Sequence, residues 1–234
     1  MAISAAYLPP PHRVALTLSG VLSTGRSALD RCLPGGGWPL GELSELVGQD
    51  EAPLQLLLPA LSALSWEDRW ITLITPPATV RPRLGQQGGL DGSRFRHAHA
   101  HPRVSPLEHA RRAVAARQSA AVVVWADRVA PSALVRLRAA LANTDTGVFL
   151  IRPETALSQA PSGTLRLHVA REPTAGLRIR LLHVAWSRPA VLSLSVTDGA
   201  LGDHRPVRSG PSSIELGSNE TSLRKQAPIS PILR

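Results

Sequence analysis

Nine arginines fall between positions 94 and 138 (Arg94, Arg96, Arg103, Arg111, Arg112, Arg117, Arg128, Arg136 and Arg138), against two acids, Glu108 and Asp127. A guanidinium is always charged, and its planar fork fits carboxylate and phosphate oxygens, so this density is the chemistry of an anion-binding surface. Arg94, Arg96, Arg103, Arg111, Arg112 and Arg117 are the candidate contacts, to DNA phosphates or to the acidic surface of a partner protein. A solvated helix face in an arginine-rich chain would carry the same charges. A second cluster, His97, His99 and His101 with His109 nearby, places alternate imidazoles on one face of an extended segment. Pro102 breaks that segment at once, and zinc sites draw on more varied ligands, so the cluster reads as a solvated loop and no metal is expected. No serine, histidine and aspartate fall in a recognisable elbow, so no catalytic residue and no cofactor are expected.

The elements that position these side chains must come from a chain of 234 residues that is 43% apolar, enough for one core plus extensions. Aromatics make up only 3%, which leaves few rings for a single-strand stacking platform. The formal charge is +9, and Lys225 is the sole lysine, which excludes lysine chemistry over residues 1–224. Cys32 stands alone, excluding an internal disulfide framework or a cysteine-rich zinc module. No apolar run approaches the roughly 20 residues that span a bilayer, and the first residues lack a signal-peptide pattern, so the expectation is a cytoplasmic protein without a membrane partner.

Three consecutive prolines, Pro9 to Pro11, suggest an extended arm over residues 1–23, followed by a body from Thr24 to about 197. Within that body, apolar β-branched runs alternate with amphipathic ones, the pattern of βα units around a mainly parallel sheet flanked by helices. The expected strands are Glu42 to Gly48, Trp70 to Thr75, Ala120 to Ala126 and Thr146 to Arg152. Helices are expected at Pro53 to Ser65, Pro106 to Gln118 and Pro131 to Ala142, each opened by proline in its first turn. After Pro153 the alternation of Leu165, Leu167 and Val169, and of Leu177, Ile179 and Leu181, predicts antiparallel strands with one wet face toward the C-terminus. From Asp198 the Ser, Gly and Pro content and the lack of periodicity predict a disordered tail.

The most distinctive stretch is Pro34-Gly35-Gly36-Gly37-Trp38-Pro39, a turn in which three glycines free the backbone and Trp38 can anchor it. With Thr24-Gly25, Ala28-Leu29-Asp30, Gly41-Glu42 and Glu45 to Gly48, it follows the order of the lead-in to the phosphate loop in RecA-like ATPases, so the chain resembles a RecA-like P-loop fold. The loop itself is degenerate. A working phosphate loop needs a second glycine, a lysine and a hydroxyl, and Gly48 is followed instead by Gln49-Asp50-Glu51-Ala52-Pro53-Leu54-Gln55. Proline, leucine and glutamine take the three critical places, and Asp50 and Glu51 put negative charge where phosphate would sit, so no ATPase is expected. The apolar strand Val122 to Ala126 resembles a Walker B strand ending in Asp127; without its partners, Asp127 reads as a surface acid that pairs with an arginine or caps the turn before Pro131.

A degenerate RecA-like body with this glycine-rich turn, continued by Leu56 to Leu61, Arg69 to Pro77 and Ile151-Arg152-Pro153, is similar to the ImuA family of translesion-synthesis accessory proteins. That resemblance implies a non-catalytic accessory role in SOS-induced, error-prone DNA synthesis, with an ImuB-like protein and an error-prone DnaE-type polymerase as partners, RecA as a further candidate and DNA contact as an option. The segment Trp70 to Pro77 also resembles SulA, the SOS cell-division inhibitor, which implies FtsZ as the alternative partner. The glycine-rich lead-in and the strands after Pro153 favour ImuA.

Overall fold

The computed structural model describes residues 20–49, 51–80, 82, 84, 89–98, 103–173, 176–185 and 193–197. The chain opens with β1 (Val21–Leu22) and the single turn α1 (Ser27–Asp30), passes through a 3-10 turn at Pro34–Gly36, and returns along β2 (Trp38–Pro39). These two short strands pair antiparallel, so Val21 and Leu22, at the end of the expected arm, belong to the body. Then follow β3 (Leu43–Gly48), α2 (Ala52–Ser65), β4 (Trp70–Ile74), β5 (Phe95–Ala98), α3 (Pro106–Ala115), β6 (Ser119–Trp125), α4 (Pro131–Leu141), β7 (Gly147–Arg152), β8 (Leu165–Arg171), β9 (Gly176–Val184) and β10 (Ser193–Thr197).

From β3 to β10 the strands form one eight-stranded sheet in the order β10-β9-β8-β3-β7-β6-β4-β5. Pairing is parallel from β8 across to β5, and antiparallel only where β9 meets β8 and β10 meets β9. The expected strands and helices recur with ends that coincide or shift by at most three residues. The antiparallel strands expected toward the C-terminus are present, β9 against β8 and β10 against β9, while β8 also pairs in parallel with β3, beside which it inserts before the chain turns back. One expectation needs correction. Part of the segment read as a histidine-rich loop is β5, which Ile71 and Leu73 of β4 template by pairing with Phe95 and His97.

Strand period two sorts the apolar side chains onto two faces, both covered, which is why these strands read as continuous apolar runs. On one face Leu46, Ala121, Val123, Phe149 and Ile151 pack with Leu54, Leu57, Leu61 and Leu64 of α2. On the other, Leu43, Val122, Val124, Val148 and Leu150 pack with Leu107, Ala110 and Val114 of α3 and Leu137 and Leu141 of α4. Polar side chains of α3 and α4 are thereby turned outward. Exposed Arg178 and Arg180 on β9 supply the expected wet face. No described helix is long and apolar enough to cross a membrane. The expected arm over residues 1–19 and the tail from 198 lie outside the described residues.

Candidate functional site

Gly37 and Trp38, in the second half of the glycine-rich turn, are buried, while Gly35 is exposed. Trp38 is fully buried and meets the edge of the Phe149 ring at a centroid distance of 5.4 Å and an angle of 82°. Gly37 is required by space, since a Cβ there would stand 2.3 Å from the Leu22 carbonyl oxygen across the hairpin. Gly35 and Gly36 adopt φ of 79° and 86°, conformations open to glycine at little cost. Upstream, Asp30 accepts from the Thr24 amide at 2.8 Å and the Ser23 hydroxyl at 2.7 Å, which ties the Thr-Gly and Leu-Asp pairs into one structure. Gly25 completes it, because a Cβ there would fall 2.4 Å from Pro59 Cβ on α2.

At the C-terminal ends of β3, β6 and β7 lies an open cleft of about 350 Å³, lined by Gly48 and Gln49, by Trp125 and Asp127, and by Arg152 and Pro153. Ligand sites of open parallel sheets lie at this edge. Its chemistry is not that of a phosphate loop. Gly48 lets the Val169 carbonyl approach to 2.2 Å of the place a Cβ would take, and Pro53 Cγ closes in at 3.0 Å. Leu54, in the lysine position, is buried among the α2-side core, and Pro53 is buried beside it. Gln49 donates to Glu154 at 2.7 Å, and His168 Nε2 lies 3.2 Å from the other oxygen of Glu154. Asp127 has an exposed side chain, while its carbonyl accepts from Arg152 at 3.0 Å. It caps no helix: the residue preceding α4 is Ala130, and no side chain caps that end, because Asp127 lies too far before the first turn.

Behind the cleft sits a buried charge cluster. Glu45 is 0% exposed and Arg152 1%. Glu45 Oε1 accepts from Arg152 at 3.2 Å, and Oε2 accepts from the Ser162 amide at 2.7 Å and stands 3.4 Å from Arg166 Nε. Two guanidiniums thus share one carboxylate, and their terminal nitrogens also donate to Asp127 O, Gln159 Oε1, Gln159 O and Ala156 O, while the Nε of each has no hydrogen-bond partner. Those bonds fasten the Pro153–Gly163 connection to the sheet. Sequence reading missed this cluster, although its signal was present: Glu45, Arg152 and Arg166 each put a charge into a largely apolar strand, and β3 turns out to lie between the other two.

The six candidate arginines divide. Arg94 pairs with Asp68 at 3.2 Å and Asp91 at 3.9 Å, next to β5. Arg96 stacks over Trp70 at 3.7 Å from the ring centroid and donates to Gln118 at 3.2 Å. Arg103 is exposed ahead of α3, and Arg117, exposed after it, holds a left-handed φ of 53°. Arg111 and Arg112 come together on α3 around Glu108, and Arg136 of α4 joins them. Hydrogen bonding from Arg111, with charge from both α3 arginines, lowers the Glu108 pKa to about 2. The six arginines thus fall into local groups: Arg94 and Arg96 around β5, with Arg96 reaching Gln118 beside Arg117, and Arg111 and Arg112 around Glu108. Among the described residues no three of His, Cys, Asp and Glu are grouped to hold a metal ion; His97 is half-buried on β5, and His99 and His101 lie outside the described residues.

An α/β body with a mainly parallel sheet, whose strand-end cleft is lined by Gln49, Asp127 and Arg152 and by no lysine, serine or threonine, defines the class of this molecule. No protein-family model matches the chain. Among curated proteins it is 31% identical over 132 residues to cell division inhibitor SulA of Yersinia enterocolitica, covering 55% of this chain and 79% of that protein. It is 27% identical over 132 residues to SulA of Yersinia pestis, with the same coverage. The crystal structure of SulA from Pseudomonas aeruginosa is 30% identical, with 47% of this chain and 97% of that one covered at a TM-score of 0.41. The chain belongs to the SulA family. The matched relatives carry the name SulA, and none of these three carries the name ImuA, the family that the glycine-rich lead-in resembles.

Proposed function

We propose that this protein is a non-enzymatic inhibitor of cell division, made in the SOS response, that acts in the cytoplasm by binding FtsZ. The observation that carries the reading is the relationship to SulA over most of that protein's length. The site chemistry supports it. With Pro53 and Leu54 in the core, the cleft retains none of the lysine or hydroxyl groups that hold a nucleotide, and a body without such a site acts through its surfaces. The strand order around β3 also supports reading the body as a degenerate RecA-like core. Expression in a bacterial host should give filamentous cells, and the purified protein should lower the FtsZ sedimenting with GTP. Normal cell length together with unchanged sedimentation would refute the reading.

A second reading, the ImuA-like accessory role, is favoured by one observation: the matched 132 residues are fewer than the span from Gly20 to Thr197, so part of the ordered body lies beyond the SulA match. That reading expects an ImuB-like protein or a DnaE-type polymerase to co-purify from DNA-damaged cells, with RecA or DNA as further contacts. FtsZ recovered without them supports the inhibitor.

A further inference from the structure

Three guanidiniums converge on one carboxylate on the outer face of α3 and α4. Arg111 grips Glu108 as a fork, Nε lying 3.0 Å and 3.1 Å from its two oxygens and the terminal nitrogen 2.8 Å from one. That carboxylate is then already matched, yet Arg112 Nε lies 3.3 Å and Arg136 Nε 4.0 Å from it. The side chains of Arg112 and Arg136 stay 61% and 56% exposed. Three cations thus share one anion, and helix packing holds together a net excess of two positive charges, an arrangement that an external anion relieves. Val135, directly before Arg136 on α4, is 65% exposed, the most exposed large apolar side chain of the described residues.

Nucleic acid is the less favoured occupant. On α3 and α4 themselves Arg111 is matched by Glu108 and Arg138 by the Ser162 carbonyl, and Arg94 and Arg96 are engaged with Asp68 and Trp70. The exposed Arg103, Arg117 and Arg128 lie beyond the helix ends, so no unbroken stripe of cations runs along the two helices to follow a phosphate backbone. A pair of arginines converging on Glu108, with an exposed aliphatic side chain at the position before one of them on α4, has the composition of a protein interface. We propose that Arg112, Arg136 and Val135 form a docking surface for an acidic segment of a partner protein that carries an apolar residue beside its carboxylates. The proposal rests on the inhibitor reading and names the surface which that reading leaves open.

The test uses the full chain and fluorescence anisotropy with three labelled probes: a peptide of alternating Glu, Asp and Leu, the same peptide with Gln and Asn for the acids, and a DNA duplex. Wild type should bind the acidic peptide, more weakly as salt rises, and bind the neutral one poorly. Arg112→Glu with Arg136→Glu should lower that affinity by about tenfold or more, the loss expected for charge-assisted contacts. Val135→Asp should lower it as well, whereas Arg94→Glu should leave it unchanged, with circular dichroism showing each variant folded. No binding of the acidic peptide, or equal binding by the double variant, overturns the proposal; so does tighter capture of the duplex that the same variants abolish. FtsZ sedimentation is run in parallel. Inhibition that survives the double variant rejects this surface and leaves the inhibitor reading standing, while peptide binding lost in the variant with no FtsZ inhibition by wild type rejects the reading and keeps the surface.

Discussion

Neutralising Glu45 should cost more than removing either of its arginines. The cluster holds two buried guanidiniums and one buried carboxylate, so it carries an excess positive charge even before perturbation. Glu45→Gln preserves shape but leaves two cations without a counter-charge. It also turns one acceptor into a donor facing Arg152 or the Ser162 amide. Breaking a buried pair from one side costs about 3–5 kcal/mol. Arg166→Met instead leaves one cation with one anion and forfeits the bonds to Ala156 O and Gln159 O. Gln159 is exposed and its carbonyl can return to water, so the net loss should be about 1–3 kcal/mol for the one buried acceptor. At about 2–4 °C per kcal/mol for a body of this size, Glu45→Gln should lower Tm by about 6–20 °C, and by more than Arg166→Met does. The double variant should fall short of the sum, because the second change relieves part of the repulsion left by the first. Thermal and urea unfolding followed by circular dichroism measure all three. A Glu45→Gln variant that melts within about 3 °C of wild type, or above Arg166→Met, would refute the argument.

Gly37→Ala should loosen the β1–β2 hairpin by about 1–3 kcal/mol, since its Cβ would meet the Leu22 carbonyl oxygen at 2.3 Å. Hydrogen exchange at the Leu40 amide, which donates to Gly20 O at 2.6 Å, should accelerate in that variant. Trp38→Ala should cost about 3–5 kcal/mol in urea unfolding, because the ring is fully buried against Phe149. The Glu108 carboxyl is lowered from its ordinary 4.5 to about 2, first by hydrogen bonding from Arg111. A lowered folded-state value contributes stability that is complete above the unfolded value and is lost as pH falls from about 5 toward 2, so Glu108→Gln should flatten the acid limb of the stability profile in that window. Isothermal titration of the wild type with ATP and magnesium should give no saturable heat.

Where apolar period decides structure, the sequence was a sufficient guide. Runs such as Val122 to Val124 must bury alternate side chains on opposite faces, and proline at the openings of α3 and α4 marks where those helices start. Two things escaped that logic. The four residues of β5 have no apolar alternation of their own, and pair because β4 presents an open edge. The parallel direction of β8 depends on its insertion beside β3, a long-range fact that Leu165, Leu167 and Val169 cannot encode.

The candidate site was legible only as residue types. Charge has no period, so nine arginines along the sequence could not say which of them share a surface. Arg136 lies 28 positions from Glu108, and only the packing of α4 against α3 brings the two within 4.0 Å. The same holds inside the molecule, where Glu45 and Arg152 are 107 residues apart and become partners because β3 and β7 pair in parallel. Strand pairing and helix packing, set by apolar residues, thus decide which charges meet: one carboxylate buried under two arginines fastens the loop behind the cleft, and another, nearer the surface, gathers three arginines of which two stay exposed.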